Sequence, residues 1–318
     1  MLFDSQRKIY DCMGKLSSLL DEKATLIQGP VVLLDYPAHI NVGDMLIWQG
    51  EQVFLGRNGI RIMGQYSFHN IGRRARSQLE KCGTICLQGG GNFGDLWGWH
   101  HELREEIIAA YPHKRIVIFP QSIHFEDEAA LSRSCEILKQ HKDLHIMVRD
   151  KKSLGLLQER GVANLILTPD MAHALWGQLS APPPTHSEPR YLLRDDYEKG
   201  ALPASLNETK AKPVDWQDLQ KGMMKTVFDL GIRFIWRDMR YNNILPAASV
   251  WNMVAKMLIR RAVGLIAPYE TVVTNRLHAV ILSGMLKRQV VAYDNSYGKL
   301  SSYISIWLHD CPNIVFQS

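Results

Sequence analysis

The chain has 318 residues, 46% of them hydrophobic and 22% charged, and a net charge of +5. Such a length suits two domains better than one core, and the mild basic excess excludes the dense cationic stripe of a nucleic-acid binder while suiting an acidic small substrate or loose attraction to an anionic membrane surface. Five cysteines (Cys12, Cys82, Cys86, Cys135 and Cys311), odd in number and scattered among apolar neighbours, argue against a disulfide framework and for a reducing cytoplasm; no apolar run reaches the ~20 residues that span a bilayer, and no signal-peptide pattern opens the chain.

In chain order, Ile9, Met13, Leu16 and Leu20 recur at helical spacing and predict an amphipathic helix over 5–20. Short apolar runs then begin, each ending in polar or glycine-rich residues. They cover 31–34, 60–63, 84–87, 116–119, 145–148 and 165–167, with helix-like stretches between them. Strands alternating with helices at this spacing predict a parallel sheet with helices on both faces. Pro182, Pro183, Pro184 and Pro189 mark a boundary, giving domains 1–180 and 181–318. A second α/β series follows, with a strand near 191–193, helices over 217–230 and 249–261, a strand at 271–273, another at 289–293, a helix at 301–308 and a last apolar run at 313–316. The expected architecture is two Rossmann-like doubly wound domains facing each other across a cleft.

In open parallel sheets, ligands sit beyond the carboxyl ends of the strands. The polar strand tails are therefore the candidate site. Thr274-Asn275 joins the strand at 271–273 to an apolar helix, and either residue type can cap a helix through a side-chain oxygen. The exposed amides of a helix start suit an anion. Arg276 adds a permanent cation whose fork fits carboxylate or phosphate, and His278 adds a group able to release a proton near neutral pH. Asn41, Gly43 and Asp44 precede a predicted amphipathic helix beginning near Met45. There Asp44 either caps the helix or holds a substrate hydroxyl. His39 reads more readily as a packing residue.

Gly89, Gly90, Gly91 and Asn92 follow a strand and either cradle an oxyanion or make a tight turn; they match neither the dinucleotide fingerprint nor the P-loop. Arg149 and Arg194 end strands and either reach the cleft or pair with a neighbouring aspartate. Gln121, Ser122 and His124 sit at another strand end. Residues 294–299, with Ser296 and Lys299, read as a phosphate-gripping turn or an ordinary glycine turn. Trp97, Trp99, His100 and His101 either stack on sugar rings or pack a loop, and adjacent histidines lack metal-ligand spacing.

Together these motifs resemble the polysaccharide pyruvyl transferases. The matching pieces run in order from 35–44 through 87–92, 119–122, 148–150, 168–170 and 191–195 to 275–278 and 294–299. The resemblance is closest to the branch that decorates bacterial exopolysaccharides. It implies a fold similar to the two-domain (GT-B-type) glycosyltransferases, a donor of phosphoenolpyruvate, and a sugar product carrying a pyruvate ketal. It also implies donor binding by Arg276 and His278, with Asn275 and Leu277 beside them. His278 is the candidate acid and Asp44 the candidate acceptor of a hydroxyl proton. Asn41, Gly43, Gly90, Gly91, Asn92, Gln121, Arg149, Arg194, Ser296 and Lys299 are candidate substrate contacts. Neither a metal nor a cofactor is required by this scheme. The acceptor is a saccharide, free or lipid-linked, and the expected location is cytoplasmic, at the inner face of the membrane. Two alternatives stay open: a nucleotide-sugar glycosyltransferase of polysaccharide synthesis and a non-catalytic scaffold of a polysaccharide-assembly complex. Acceptor identity and oligomeric state are left open.

Overall fold

The computed structural model describes residues 2–194, 213–294 and 298–317. Two parallel sheets carry the fold. The first contains seven strands: β1 (Val31–Leu34), β2 (Ile62–Tyr66), β3 (Thr84–Leu87), β4 (Gly90–Phe93), β5 (Arg115–Ile123), β6 (Leu144–Val148) and β7 (Leu165–Leu167). Their order is β2-β1-β3-β5-β6-β7, with β4 alongside the second half of β5. The second contains β8 (Arg190–Leu192), β9 (Thr271–Thr274), β10 (Gln289–Tyr293) and β11 (Ile314–Gln317), in sequence order across the sheet.

The apolar runs form strands because both faces of the first sheet are covered. Val31 and Leu33 enter one buried cluster and Val32 and Leu34 the other, with Cys86, Val117 and Phe119 opposed in the same way to Ile85, Ile116 and Ile118. A strand buried on both sides needs no polar alternation, so β1 reads Val-Val-Leu-Leu. The strand expected at 116–119 continues through Pro120 to Ile123. The glycine stretch expected as a loop supplies β4, whose Gly90 and Phe93 pair with Gln121 and Ile123.

The helices expected at the N-terminus and in the later half are present, with shifted ends. They are α1 (Leu2–Asp21), α2 (Val42–Arg57), α3 (Arg73–Lys81), α4 (Gly98–Ala110), α5 (Glu128–Gln140), α6 (Lys151–Gln158), α7 (Met223–Arg240), α8 (Ala247–Ile266), α9 (Leu277–Met285) and α10 (Lys299–Tyr303). The helix expected from 217 begins only at Met223, because 216–220 forms a separate short turn held by Asp215 and Asp218. Helix α2 differs most from expectation. It starts at Val42 and is buried almost all round, through Met45–Leu46–Ile47–Trp48 and on to Phe54 and Leu55.

The reason is position. One side of α2 packs on residues 171–175, where Gly50 lies so close to the Met171 carbonyl that a Cβ would overlap it. Another side meets α8, through the bond from Gln49 Nε2 to Asn252 Oδ1 at 2.5 Å. Trp251 Nε1, also on α8, donates to the Pro37 carbonyl at 2.6 Å. A helix enclosed on several sides is apolar on several sides.

Strands β1 to β7 precede the proline-rich stretch and β8 to β11 follow it. Helix α1 nonetheless reaches the later residues. Met13 lies against Gly284 of α9, and Cys12 is bonded to Cys311 in a disulfide with Cα atoms 5.6 Å apart. That pair corrects the expectation of unpaired cysteines, whose spacing of 299 residues hid their proximity. Cys82, Cys86 and Cys135 are free and buried. Among the described residues, no helix is long and apolar enough to cross a membrane.

Candidate active site

The strand order of the first sheet reverses between β1 and β3, and the crevice beyond their carboxyl ends is where such sheets bind ligands. The chain leaves β1 through Asp35, whose φ of 69° turns it sharply, and re-enters as α2. Asn41 caps α2 by accepting a hydrogen bond from Gly43 N at 2.9 Å. The cap is thus Asn41 and not Asp44, which leaves the Asp44 carboxylate, about a quarter exposed, facing His39 across 3.7 Å.

From the second sheet, β9 ends in Thr274 and the chain turns into α9 through Asn275 and Arg276. Thr274 Oγ accepts from Arg276 N at 3.1 Å, and Arg276 itself occupies the capping position. His278 is therefore in the first turn of α9. Its Nδ1 edge lies against the start of α2, at a spot where only glycine fits: a Cβ on Gly43 would overlap the imidazole. Two motifs whose first residues are 235 apart in sequence, Asn41-Val42-Gly43-Asp44 and Arg276-Leu277-His278, thus share one site. Its Nε2 faces Asp170 at 3.5 Å.

Asp170 follows β7 and is completely buried. It accepts from Arg149 at 2.5 Å and from Ala172 N at 2.8 Å, and its own amide donates to the Tyr303 hydroxyl at 2.9 Å. Burial alone would raise its pKa, but the His278 imidazole and the Arg149 guanidinium hold it well below the usual carboxylate range. Arg149 also lies 3.1 Å from where a Cβ on Gly91 would sit, and Asp44 lies 3.6 Å from the equivalent point on Gly90. Gly43, Asp44, Gly90, Gly91, Arg149 and His278 are therefore neighbours, as the strand-end rule requires.

Other expected residues have different surroundings. Arg276 forms a 2.5 Å ion pair with Asp215, about nine-tenths buried on both sides, which fixes the direction of its fork. Asn275 accepts from Arg194 N at 2.8 Å, and its buried Nδ2 makes no hydrogen bond among the described residues. Leu277 is half-buried in the first turn of α9. Gln121 is fully buried and donates to the Gln88 carbonyl and to Asn92 Oδ1, while Asn92 also accepts from Arg104 at 3.0 Å. These two amides brace the β4–β5 junction from inside. Ser296 lies outside the described residues, and Lys299 is described only as the first residue of α10.

Several site residues were not singled out from sequence. Asp170 stands at a strand end like Arg149, so the same rule points to it. Glu51 lies on α2 seven residues after Asp44, hence on the same face. One of its oxygens accepts from Gly89 N at 2.8 Å and the other has no partner among the described residues, so burial pushes its pKa well up. Asp35 pairs with His100 at 2.8 Å, and although burial alone would lower the His100 pKa, this carboxylate raises it. No local signal marks Asp215, which only the tertiary fold brings to Arg276.

Two expected results follow from this geometry. In Gly43→Ala the new methyl overlaps the His278 ring, which must shift to admit it. Overpacking of this kind costs about 1 to 3 kcal/mol, and we expect denaturant titration to show that loss together with a turnover defect. A Gly43→Ala protein of unchanged stability and turnover would contradict the packing described. The second result concerns His173, fully buried with Nε2 3.0 Å from the Tyr303 hydroxyl, whose pKa burial pushes from 6.5 down to about 4. The unfolded chain takes up this proton below about 6.5 whereas the folded chain resists until about 4. Its contribution is therefore complete above pH 6.5 and disappears as the pH falls towards 4, by about 3 kcal/mol. Unfolding free energies measured along that interval should slope less steeply in His173→Gln.

Parallel sheets whose strand ends gather guanidinium, imidazole and carboxylate groups around helix starts define a Rossmann-like α/β protein with a polar candidate site at the strand ends. Residues 41–297 match the model of the polysaccharide pyruvyl transferase family, and the chain belongs to that family as a polysaccharide pyruvyltransferase enzyme. It is 34% identical over 313 residues to the putative pyruvyl transferase EpsO of Bacillus subtilis, covering 98% of this chain and 94% of that protein. It is 26% identical to pyruvyl transferase 1 of Schizosaccharomyces pombe, over 88% of this chain and 70% of the yeast protein. A crystal structure of a Klebsiella pneumoniae protein of uncharacterised function superposes with a TM-score of 0.59 at 18% identity, covering 96% of this chain and 98% of that one, a likeness of fold alone.

Proposed function

We propose that the protein transfers pyruvate from phosphoenolpyruvate to a sugar of a bacterial exopolysaccharide or of its lipid-linked precursor, forming a ketal and releasing phosphate. The observation that carries this reading is the contact of His278 with Gly43, which sets a proton donor at the start of α2, next in sequence to Asp44, with Arg276 two residues before that donor. Phosphoenolpyruvate bears a carboxylate and a phosphate close together, a match for arginine forks and helix-start amides. Arg276 grips the donor, with Arg149, Arg194 and Lys299 as further cations. His278 protonates the methylene carbon, leaving a cationic centre at the carbon bearing the phosphate. One acceptor hydroxyl bonds to that carbon and gives its proton to Asp44. The carbon–phosphate oxygen bond then breaks, phosphate leaves, and the second hydroxyl closes the ketal as its proton passes to His278, now neutral, which restores the acid. Asp170, paired with Arg149, orients His278 and offsets its positive charge.

The same reading places the acceptor on residues 1–180 and the donor on 181–318, arranged as in two-domain glycosyltransferases. Residues 41–44 follow β1 of the first sheet, residues 276–278 follow β9 of the second, and the contact of His278 with Gly43 joins them, which supports that arrangement. Incubating the protein with phosphoenolpyruvate and a candidate oligosaccharide should add the mass of pyruvate less one water, read by mass spectrometry. Thermal stabilisation by nucleotide sugars and none by phosphoenolpyruvate would replace this reading with the glycosyltransferase one.

A further inference from the structure

The antiparallel pair α7 and α8 carries a surface that the site does not use. Between residues 221 and 261 there are eight Lys and Arg against two Asp, an excess larger than that of the whole chain. One of the two acids, Asp238, is buried and accepts hydrogen bonds from Asn70 and Leu245, so only Asp229 opposes the cations outside. On α7, Arg233 and Arg237 lie one turn apart on the outer face, and on α8 Lys256 and Arg260 do the same. Among the described residues none of these four is in an ion pair.

The apolar residues beside them are also exposed: Met223 79%, Leu230 59% and Met253 59%. Between the start of α7 and the end of α8 is an apolar hollow of about 240 Å³, floored by Met224, Val227 and Met257 and edged by Arg260 and Arg261. Exposed methionine and leucine surrounded by unpaired cations is the composition of a helix face that lies in the headgroup region of a bilayer. A second copy of the chain is disfavoured because two faces of the same sign repel, and a nucleic acid leaves the apolar hollow unfilled.

We infer that the α7–α8 outer face docks on an anionic lipid surface. The far end of α7 supports the orientation: Trp236 lies 4.9 Å from His69, which stacks on Phe68, and Phe68 touches His100 beside Asp35. A surface seated on the bilayer thus runs along an aromatic row to the site, where a lipid-linked acceptor would be met. This deepens the functional reading and rests on it only for the orientation, since docking itself is measured without donor or acceptor.

The full chain is sedimented with phosphatidylcholine vesicles and with mixed phosphatidylcholine–phosphatidylglycerol vesicles. We expect partition onto the mixed vesicles alone, weakened on the order of a hundredfold in Arg233→Gln/Arg237→Gln/Arg260→Gln, since each cation near an anionic surface contributes about a kilocalorie per mole. Leu230→Ser/Met257→Ser, at positions whose exposure spares the fold, should weaken it too. Thermal stabilisation by phosphoenolpyruvate, measured without vesicles, should be unchanged in both variants, which separates failure of docking from failure of the donor reading. Wild-type protein that stays in solution overturns the inference. So does a triple glutamine variant that partitions like wild type, competition by duplex DNA as effective as the vesicles, or self-association abolished by the serine pair.

Discussion

His278→Gln is expected to lower turnover with phosphoenolpyruvate by about a hundredfold to ten-thousandfold, the range over which a positioned proton donor accelerates a reaction. Glutamine keeps the volume and hydrogen-bonding capacity near Gly43 but has no proton to release. The Arg276–Asp215 pair is untouched, so the donor should bind as before, with the loss confined to kcat. The geometry adds a control. His278 Nε2 faces the buried Asp170 at 3.5 Å, and the glutamine amide keeps a donor able to face the same carboxylate. Stabilisation by phosphoenolpyruvate in a thermal shift, set beside single-turnover kinetics, separates binding from chemistry. Normal single-turnover rates in this variant would remove His278 from the acid role.

The second large effect is on stability. In Arg149→Leu the wholly buried Asp170 loses the guanidinium it accepts from at 2.5 Å, and only His278 remains to balance it. Breaking a buried pair by removing one partner costs about 3 to 5 kcal/mol, because a charge is left in a medium that cannot solvate it. Ser122, which accepts from Arg149 Nε at 2.9 Å, loses a partner as well. The cost should appear as a lower denaturant midpoint with an unchanged slope. Removing both charges, in Arg149→Leu/Asp170→Leu, should recover part of the loss. The double variant is compared for stability alone, since it also removes the partner of His278. A single variant as stable as wild type would mean that water reaches Asp170.

The α/β class and the parallel pairing were legible in the order of apolar runs, because a strand covered on both faces needs uninterrupted apolar residues and a parallel partner needs a crossover. The candidate residues Arg276, His278, Gly43, Asp44 and Arg149 were legible as strand tails. Two kinds of feature were not. One is the burial of α2: periodicity reports one partner surface, whereas this helix meets a sheet, residues 171–175 and α8. The other is pairing at long range, as in Arg276 with Asp215, His278 with Asp170 and Cys12 with Cys311.

What the sequence determined by itself was the local grammar. It specified which segments become strands, where each strand hands over to a helix, and which polar residues stand at those junctions. Backbone hydrogen bonding and side-chain burial act over a few residues, so they leave a mark in the order of the letters. Tertiary structure alone decided which junctions meet. The fit of the His278 ring against Gly43 is a matter of excluded volume between helices far apart in the chain, and no pattern of neighbours records it.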